Sequence, residues 1–381
     1  MVCNSKELSE LLCKHACGVV IFHTYLTEKK RMRLEVYKTK TLFACLLLWA
    51  ATPFSCALPS TAEPEKSAPD VPALNESSVF SIAILPDTQQ EVQAANARPT
   101  DDMRFRQRMQ WLVDNKEALN LRYVLHSGDV VNWGERDEHQ YGVAVDAYEV
   151  LHAAGIPFML GVGNHDTRAV CEGGGACPEE NAHATLRELP RFNAHFEPLM
   201  GPHVLGRYEA GNLSNAYGRF EAGGAQWLVL SLELWPRTPV IAWAKRVVAE
   251  HPADNVILIT HAFLTASGAI GANNGGYGDT SPQYLYDNLI KLYPNIRFVF
   301  SGHSGEALSR SLAGVNGNKV LASLQAFHSD TNNPVRLMEI DTSKNTATTY
   351  IFAPKTSERW TQYDDEASGM DFIQKTKAAK P

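Results

Sequence analysis

Phe158-Met159-Leu160-Gly161-Val162-Gly163-Asn164-His165-Asp166 carries both an architecture and a chemistry. Phe158-Met159-Leu160 is a continuous apolar run, the pattern of a strand buried on both faces. Gly163 lets the backbone turn tightly where the run ends. An amide, an imidazole and a carboxylate then follow one another. His165, set between two polar residues at a strand end, is the residue that packing explains least.

The same order of residues recurs along the chain. Ser81-Ile82-Ala83-Ile84-Leu85 leads through Pro86 to Asp87 and Gln89, and Tyr123-Val124-Leu125 leads through His126-Ser127-Gly128 to Asp129. Val256-Ile257-Leu258-Ile259 leads through Thr260 to His261, and Phe298-Val299-Phe300 through Ser301-Gly302 to His303. Trp227-Leu228-Val229-Leu230 is a further run. Between the runs lie helical spacings: Phe105, Met109, Leu112 and Val113, and later Trp243, Val247 and Val248. Strand and helix patterns that alternate in this way predict an α/β layered domain. Residues 320–352 read as more purely β, through Leu337-Met338-Glu339-Ile340 and Thr349-Tyr350-Ile351-Phe352.

In α/β sheets, ligands collect at the carboxyl ends of the strands. Here five predicted strands end in groups able to bind a metal. Each has an ordinary reading when taken singly: Asp87 and Asp129 as turn residues, Asn164 as a cap, His261 and His303 as satisfied core histidines. Their joint occurrence favours a metal site, and the mixture of carboxylate, amide and imidazole suits Zn, Mn or Fe.

The ordered set resembles the calcineurin-like metallophosphoesterase superfamily over about residues 79–353. Its motifs are Asp-x-His, Gly-Asp, Gly-Asn-His-Asp/Glu, a lone His after a strand, and Gly-His-x-His. Matching them are Asp87-Thr88-Gln89, Gly128-Asp129, Gly163-Asn164-His165-Asp166, His261 and Gly302-His303-Ser304-Gly305. The resemblance implies a sandwich of two mixed β-sheets flanked by helices. It also implies two divalent metal ions bridged by Asp129, with Asn164, His261 and His303 completing one site and Asp87 and Gln89 serving the other. A hydroxide bridging the ions would attack a phosphomono- or diester in line. His165 would contact the phosphoryl oxygens and protonate the leaving group, and Asp166 would hold the imidazole in its tautomer.

Two positions depart from the pattern: Gln89 and Gly305 stand where histidine is usual, both on one metal site. That site is therefore expected to hold its ion less tightly, with Glu306 a candidate substitute. Pro86-Asp87-Thr88-Gln89 resembles a bacterial exported branch of the superfamily. The losses also motivate an alternative reading, a catalytically reduced metal- or phosphate-binding protein on the same scaffold.

The N-terminus reads as an address. Arg31, Arg33, Lys38 and Lys40 precede an apolar stretch, Thr41 to Phe54, and Ser55-Cys56-Ala57 supplies the small residues of a cleavage site. The stretch is shorter than the ~20 residues of a membrane span. Residues 1–57 are read as leader and signal peptide, with Met32 as the expected true start. Residues 58–78 are read as a Pro/Ala/Glu/Ser-rich linker, 79–354 as the catalytic domain and 355–381 as a polar tail. Five of seven cysteines lie in the leader, leaving Cys171 and Cys177 to close one disulfide. A periplasmic or secreted location is expected, without a stable membrane span after cleavage.

The net charge of −7 includes a net basic leader, so the body is more acidic still. General nucleic-acid binding is therefore disfavoured, and the expected partner is a small-molecule or lipid phosphate ester. Candidate pocket residues are Asn215 and Tyr217, before a strand, and Asn273 and Asn274, in a Gly-rich loop. Asn132 and Trp133 are read as support or pocket wall, and His126 as core. His183, His195 and His203 are read mostly as surface. His328 follows a late strand and is read as outside the site, with a place in it the minority reading.

Overall fold

Strands β1 (Val79–Leu85), β2 (Leu121–His126) and β3 (Phe158–Leu160) run parallel at one side of a six-stranded sheet. Strands β4 (Gly206–Arg207), β5 (Ala216–Ala222), β6 (Ala225–Leu232), β7 (Asp254–Thr260), β8 (Ile296–Ser301), β9 (Ala307–Ala313) and β10 (Lys319–Gln325) form a seven-stranded sheet, in the order β4-β5-β6-β7-β8-β10-β9. Within it β6, β7, β8 and β10 are parallel. Strands β11 (Val335–Asp341), β12 (Thr346–Ala353) and β13 (Glu358–Ser368) return antiparallel to complete the first sheet, in the order β13-β12-β11-β1-β2-β3. The computed structural model describes residues 77–93, 103–178, 180–328 and 332–375. The leader, and the linker up to residue 76, lie outside the described residues.

The two sheets face one another across the main core. Trp227 of β6, fully buried, meets Phe80 of β1 edge-on at 5.3 Å and stacks on Phe298 of β8 at 6.1 Å. Truncating so large a buried ring costs about 3–5 kcal/mol. Helices α1 (Arg104–Asp114) and α2 (Glu138–Ala153) cover the outer face of the first sheet with Phe105, Met109, Leu112, Tyr148 and Leu151. On the other side a second core joins β6, β7 and β8 to the helices Thr238–Glu250 and Pro282–Asn288. This is the expected sandwich of two mixed sheets flanked by helices.

One boundary is corrected. The stretch expected as a polar tail contains β13, which pairs with β12, and beyond it Phe372 packs against Trp227 at 5.4 Å and Phe298 at 5.9 Å. β13 is an edge strand whose side chains are mostly exposed. An edge favours polar and charged residues, so its sequence lacks the apolar alternation by which strands are recognised. Cys171 and Cys177 are joined in a disulfide that closes a six-residue separation.

Arg336 ties the sheets together near one end. Its guanidinium is fully buried and donates to Gln325 Oε1 at 3.1 Å, Thr349 Oγ1 at 2.9 Å and the Leu324 carbonyl at 3.1 Å. The first and third partners lie on β10 and the second on β12. Burial pulls its pKa down to about 10, with Asp365 acting against the shift.

Candidate active site

Six parallel strands deliver side chains to one place. β1 ends before Asp87, β2 before Asp129, β3 before Asn164 and His165, β7 before His261, β8 before His303 and β10 before His328. Donor atoms of Asp129, His261 and His303 lie within 4.8 Å of one another, as do those of Asp87, Asp129 and His328. Asp129 belongs to both groups, the position expected of a bridging ligand. The chain achieves this convergence with strained turns. Asp129 (φ 54°), His303 (φ 73°) and Phe327 (φ 56°) all adopt the left-handed backbone region that non-glycine residues avoid. Two glycines are required by close approach: a Cβ on Gly163 would lie 2.1 Å from Asp129 Oδ1, and one on Gly302 would lie 1.9 Å from Asp87 Oδ1.

Whether these residues suit a divalent cation is tested by their hydrogen bonds. His261 Nδ1 donates to the Ser127 carbonyl oxygen at 3.0 Å, since a carbonyl only accepts. Its Nε2 lone pair then faces Asp129 Oδ2 at 3.0 Å. Two acceptors at that separation need a cation or an extra proton between them. Burial opposes a charge on His261, but Asp129 and Asp87 outweigh it and pull its pKa up to about 9. The amide oxygens Gln89 Oε1 and Asn164 Oδ1 are buried without a hydrogen-bond partner, a costly condition that a metal ion relieves. Among the described residues, the ion-pair partners of Asp87 and Asp129 are all histidines. His303, half-buried and beside His261, is pushed down to about 4 by that burial and so presents a neutral imidazole at neutral pH. The donor set fits a pair of borderline divalent ions.

The profile of the calcineurin-like phosphoesterase family matches residues 80–306. The chain belongs to that family. It is 28% identical over 207 residues to an uncharacterized protein of Bacillus subtilis (strain 168), YvnB, a stretch that covers 54% of this chain and 14% of that protein. Among solved structures, purple acid phosphatase PPD1 from yellow lupin (Lupinus luteus) seeds superposes with a TM-score of 0.49 at 14% identity, over 77% of this chain and 54% of that one. A dimetal phosphatase from Danio rerio superposes with a TM-score of 0.44 at 11% identity, over 76% of this chain and 98% of that one.

In this calcineurin-like phosphoesterase the expected partnership of His165 and Asp166 does not form. His165 Nδ1 lies 2.8 Å from the main-chain oxygen of Asn132 and 2.7 Å from Asn132 Oδ1. Because the carbonyl only accepts, Nδ1 carries the proton. Nε2 is left on the side of Asp129, 4.0 Å from Oδ2. Asp166, fully buried, instead accepts from the main-chain N–H of Val131 at 3.1 Å and of Gly163 at 2.9 Å. It pins together the two loops that present Asp129 and Asn164. Burial, and then the nearby Asp129, push its pKa up to about 8. Asn132 is itself held in place, since Gln140 Oε1 of α2 accepts from the main-chain N–H of Asn132 at 2.9 Å and of Trp133 at 3.0 Å.

The departures at Gln89 and Gly305 are also resolved differently from expectation. His328 Nε2 lies 2.6 Å from Asp87 Oδ2. An imidazole thus does stand on the Asp87 side, delivered by β10, and the premise of a site without histidine falls. Gly305 sits at φ +78°, and a Cβ there would meet Ala266 Cβ at 2.9 Å, so this turn excludes a side chain. Glu306 does not reach the ligands either; its carboxylate accepts from the Tyr363 hydroxyl.

The proposed pocket residues are likewise reassigned. Tyr217 belongs to the second core, against Trp243 and His251. Asn215 is buried, and it donates to Glu233 Oε2 at 3.0 Å and accepts from the Glu233 N–H at 2.9 Å. Asn273 and Asn274 close turns in their own loop, accepting from the main-chain N–H of Gly275 and Gly276. What that loop brings to the site is aromatic. Tyr277 packs edge-on against Trp235 at 5.0 Å, and Trp235 against the His303 ring at 5.5 Å. In the sequence, polarity next to glycine does not distinguish a turn from a lid.

Proposed function

We propose that the chain is an exported metal-dependent phosphodiesterase or phosphomonoesterase, with Asp129 bridging two divalent ions. Asn164, His261 and His303 would hold one ion; Asp87, Gln89 and His328 would hold the other. When bound, such ions clamp phosphoryl oxygens and lower the pKa of a coordinated water. The observation that carries this reading is the pair of donor groups that share Asp129, with His165 Nε2 on the same side. His165, anchored through Nδ1, can present a proton at Nε2 to the leaving oxygen. Its anchor fixes the ring orientation, and Asp166 keeps the two supporting loops together.

Export is supported by the basic-apolar-small order of residues 31–57 and by the Cys171–Cys177 disulfide. Among the described residues no helix is long and apolar enough to cross a membrane. The acidic body supports a small-molecule or lipid ester over nucleic acid.

The deciding experiment loads the purified protein with Mn, Zn or Fe and screens phosphate mono- and diesters. Asp129→Asn and His165→Ala should each lower turnover by at least ~100-fold, the scale of a lost acid-base group or more. Metal-dependent turnover that survives both substitutions would remove the mechanism.

A further inference from the structure

A cleft of about 480 Å³ opens beside the Asp87 edge of the site, lined by Phe327, His328, Trp360, Gln362, Tyr363 and Glu306. His328 belongs to both the cleft and the candidate metal cluster, so the cleft begins where a phosphoryl group would sit. Gly305, the position at which the family pattern has histidine, also lines it.

The walls have a definite chemistry. Phe327 meets Trp360 edge-on at 5.4 Å and Tyr363 edge-on at 5.7 Å, and Trp360 and Tyr363 lie 6.4 Å apart at 53°. Three rings thus form a corner with differently oriented faces. Glu306 is fixed at the rim by the hydroxyl of Tyr363. Among the described residues no lysine or arginine lines the cleft. Arg359, the basic residue of β13, is turned onto the Tyr350 ring and paired with Asp364 at 2.8 Å. The same strand also carries Glu358, Asp365 and Glu366.

A polyphosphate or other anionic leaving group would find no lysine or arginine among the described lining residues and would meet the Glu306 carboxylate. Aromatic faces with an adjoining carboxylate instead recognise a weakly hydrated organic cation, through the negative ring faces and the formal charge together. We propose that this cleft takes the quaternary ammonium end of a choline-type phosphodiester, placing the ammonium against Trp360, Tyr363 and Phe327 and the phosphorus at the metal site. The proposal rests on the phosphoesterase reading of the neighbouring centre. It adds the substrate class and assigns to β13 a role in specificity.

The test compares p-nitrophenyl phosphorylcholine with p-nitrophenyl 3,3-dimethylbutyl phosphate, which carries an uncharged tert-butyl group in place of the trimethylammonium, on the metal-loaded full chain. The kcat/KM ratio between them should exceed ten in favour of the choline ester, mainly through KM. Trp360→Ala and Glu306→Gln should each bring that ratio close to one. A ratio near one in the unaltered protein, or a ratio that neither substitution moves, overturns the proposal while leaving the phosphoesterase reading intact. If no phosphate ester is turned over, that reading fails by itself, and calorimetry with choline chloride against 3,3-dimethylbutanol still decides the cleft. Choline binding that is lost in Glu306→Gln supports it; equal or absent binding of the two overturns it. Glycerophosphocholine and phosphatidylcholine vesicles then separate a free diester from a lipid. Hydrolysis of neither, with the 3,3-dimethylbutyl ester still cleaved, also sinks the assignment.

Discussion

His165 donates its Nδ1 proton to the main-chain oxygen of Asn132 at 2.8 Å, while its sequence neighbour Asp166 is turned to the N–H groups of Gly163 and Val131. The two halves of one motif therefore do separate work. A main-chain carbonyl fixes the imidazole tautomer as firmly as a carboxylate would, but adds no negative charge beside the ring.

This separation predicts different consequences for the two supports. Asn132→Ala removes the Oδ1 contact and loosens the loop that supplies the carbonyl. Turnover should fall by roughly 10–100-fold, the usual cost of losing a group that orients a functional histidine, with metal content unchanged. Asp166→Asn instead places an amide where two N–H donors converge. It should cost about 1–3 kcal/mol of stability and lower the metal content, since both loops carry proposed ligands. Thermal denaturation and metal analysis, run beside the kinetics, separate the outcomes. A selective loss of turnover in Asp166→Asn, at full stability and metal content, would restore the carboxylate–imidazole pairing.

The contact between His328 and Asp87 makes a second prediction. His328→Ala should reduce bound metal from two ions per chain to one, as read by elemental analysis after dialysis. The loss should exceed the ~10–100-fold in affinity typical of groups that only support a ligand. Gly305→His should not restore it, because the turn at φ +78° and the nearby Ala266 leave no space for a side chain there. Two ions retained in His328→Ala would show that His328 merely hydrogen-bonds to Asp87.

What could be read from the sequence follows from how each strand is buried. β1, β2, β3, β7 and β8 are covered on both faces, so they appear as apolar runs, and the candidate ligand after each run stands out. β10 is equally buried, but Gln325-Ala326-Phe327-His328 lacks the glycine that marks several of the other strand ends. Phe327 makes that turn at φ 56° without one. Its strain is invisible in residue types, and so His328 was legible only as one more histidine. β13 escaped notice for the opposite reason, since its exposed edge selects polar residues. The pairing of His165 with Asn132 was hidden because adjacency in sequence says nothing of direction. Asp166 follows His165 directly and points elsewhere.

A pH effect independent of the metal ligands is expected from His203. Burial, and then the proximity of His152, lower its pKa to about 4. The unfolded chain holds this histidine near the ordinary value of ~6.5. Between those values the unfolded state binds the extra proton, so stability rises with pH across the window and is lost as pH falls from about 6.5 towards 4. The stability lost across that window is on the order of 2 kcal/mol once partial exposure is allowed for. His203→Gln should therefore narrow the difference in Tm between pH 7.5 and pH 5. An unchanged difference would place the acid sensitivity elsewhere.

Arg336 links stability to the site most directly. It reaches from β11 to Gln325 and the Leu324 carbonyl on β10, and β10 runs on to His328. Replacing it with Met keeps much of the volume but leaves the Gln325, Thr349 and main-chain acceptors without their donor. Unpaired buried groups of this kind cost about 1–3 kcal/mol each, and incomplete relaxation should bring the total to roughly 3–5 kcal/mol. Lysine is no rescue, because a single ammonium cannot span the fork of acceptors that the planar guanidinium meets. The end of β10 should shift as well, so Arg336→Met should weaken the ion on the Asp87 side more than the one held by Asn164, His261 and His303. Chemical denaturation and metal titration of the same variant check both parts. Stability within 1 kcal/mol of the parent would show that the buried guanidinium is not what joins the sheets, and equal weakening of both ions would detach Arg336 from His328.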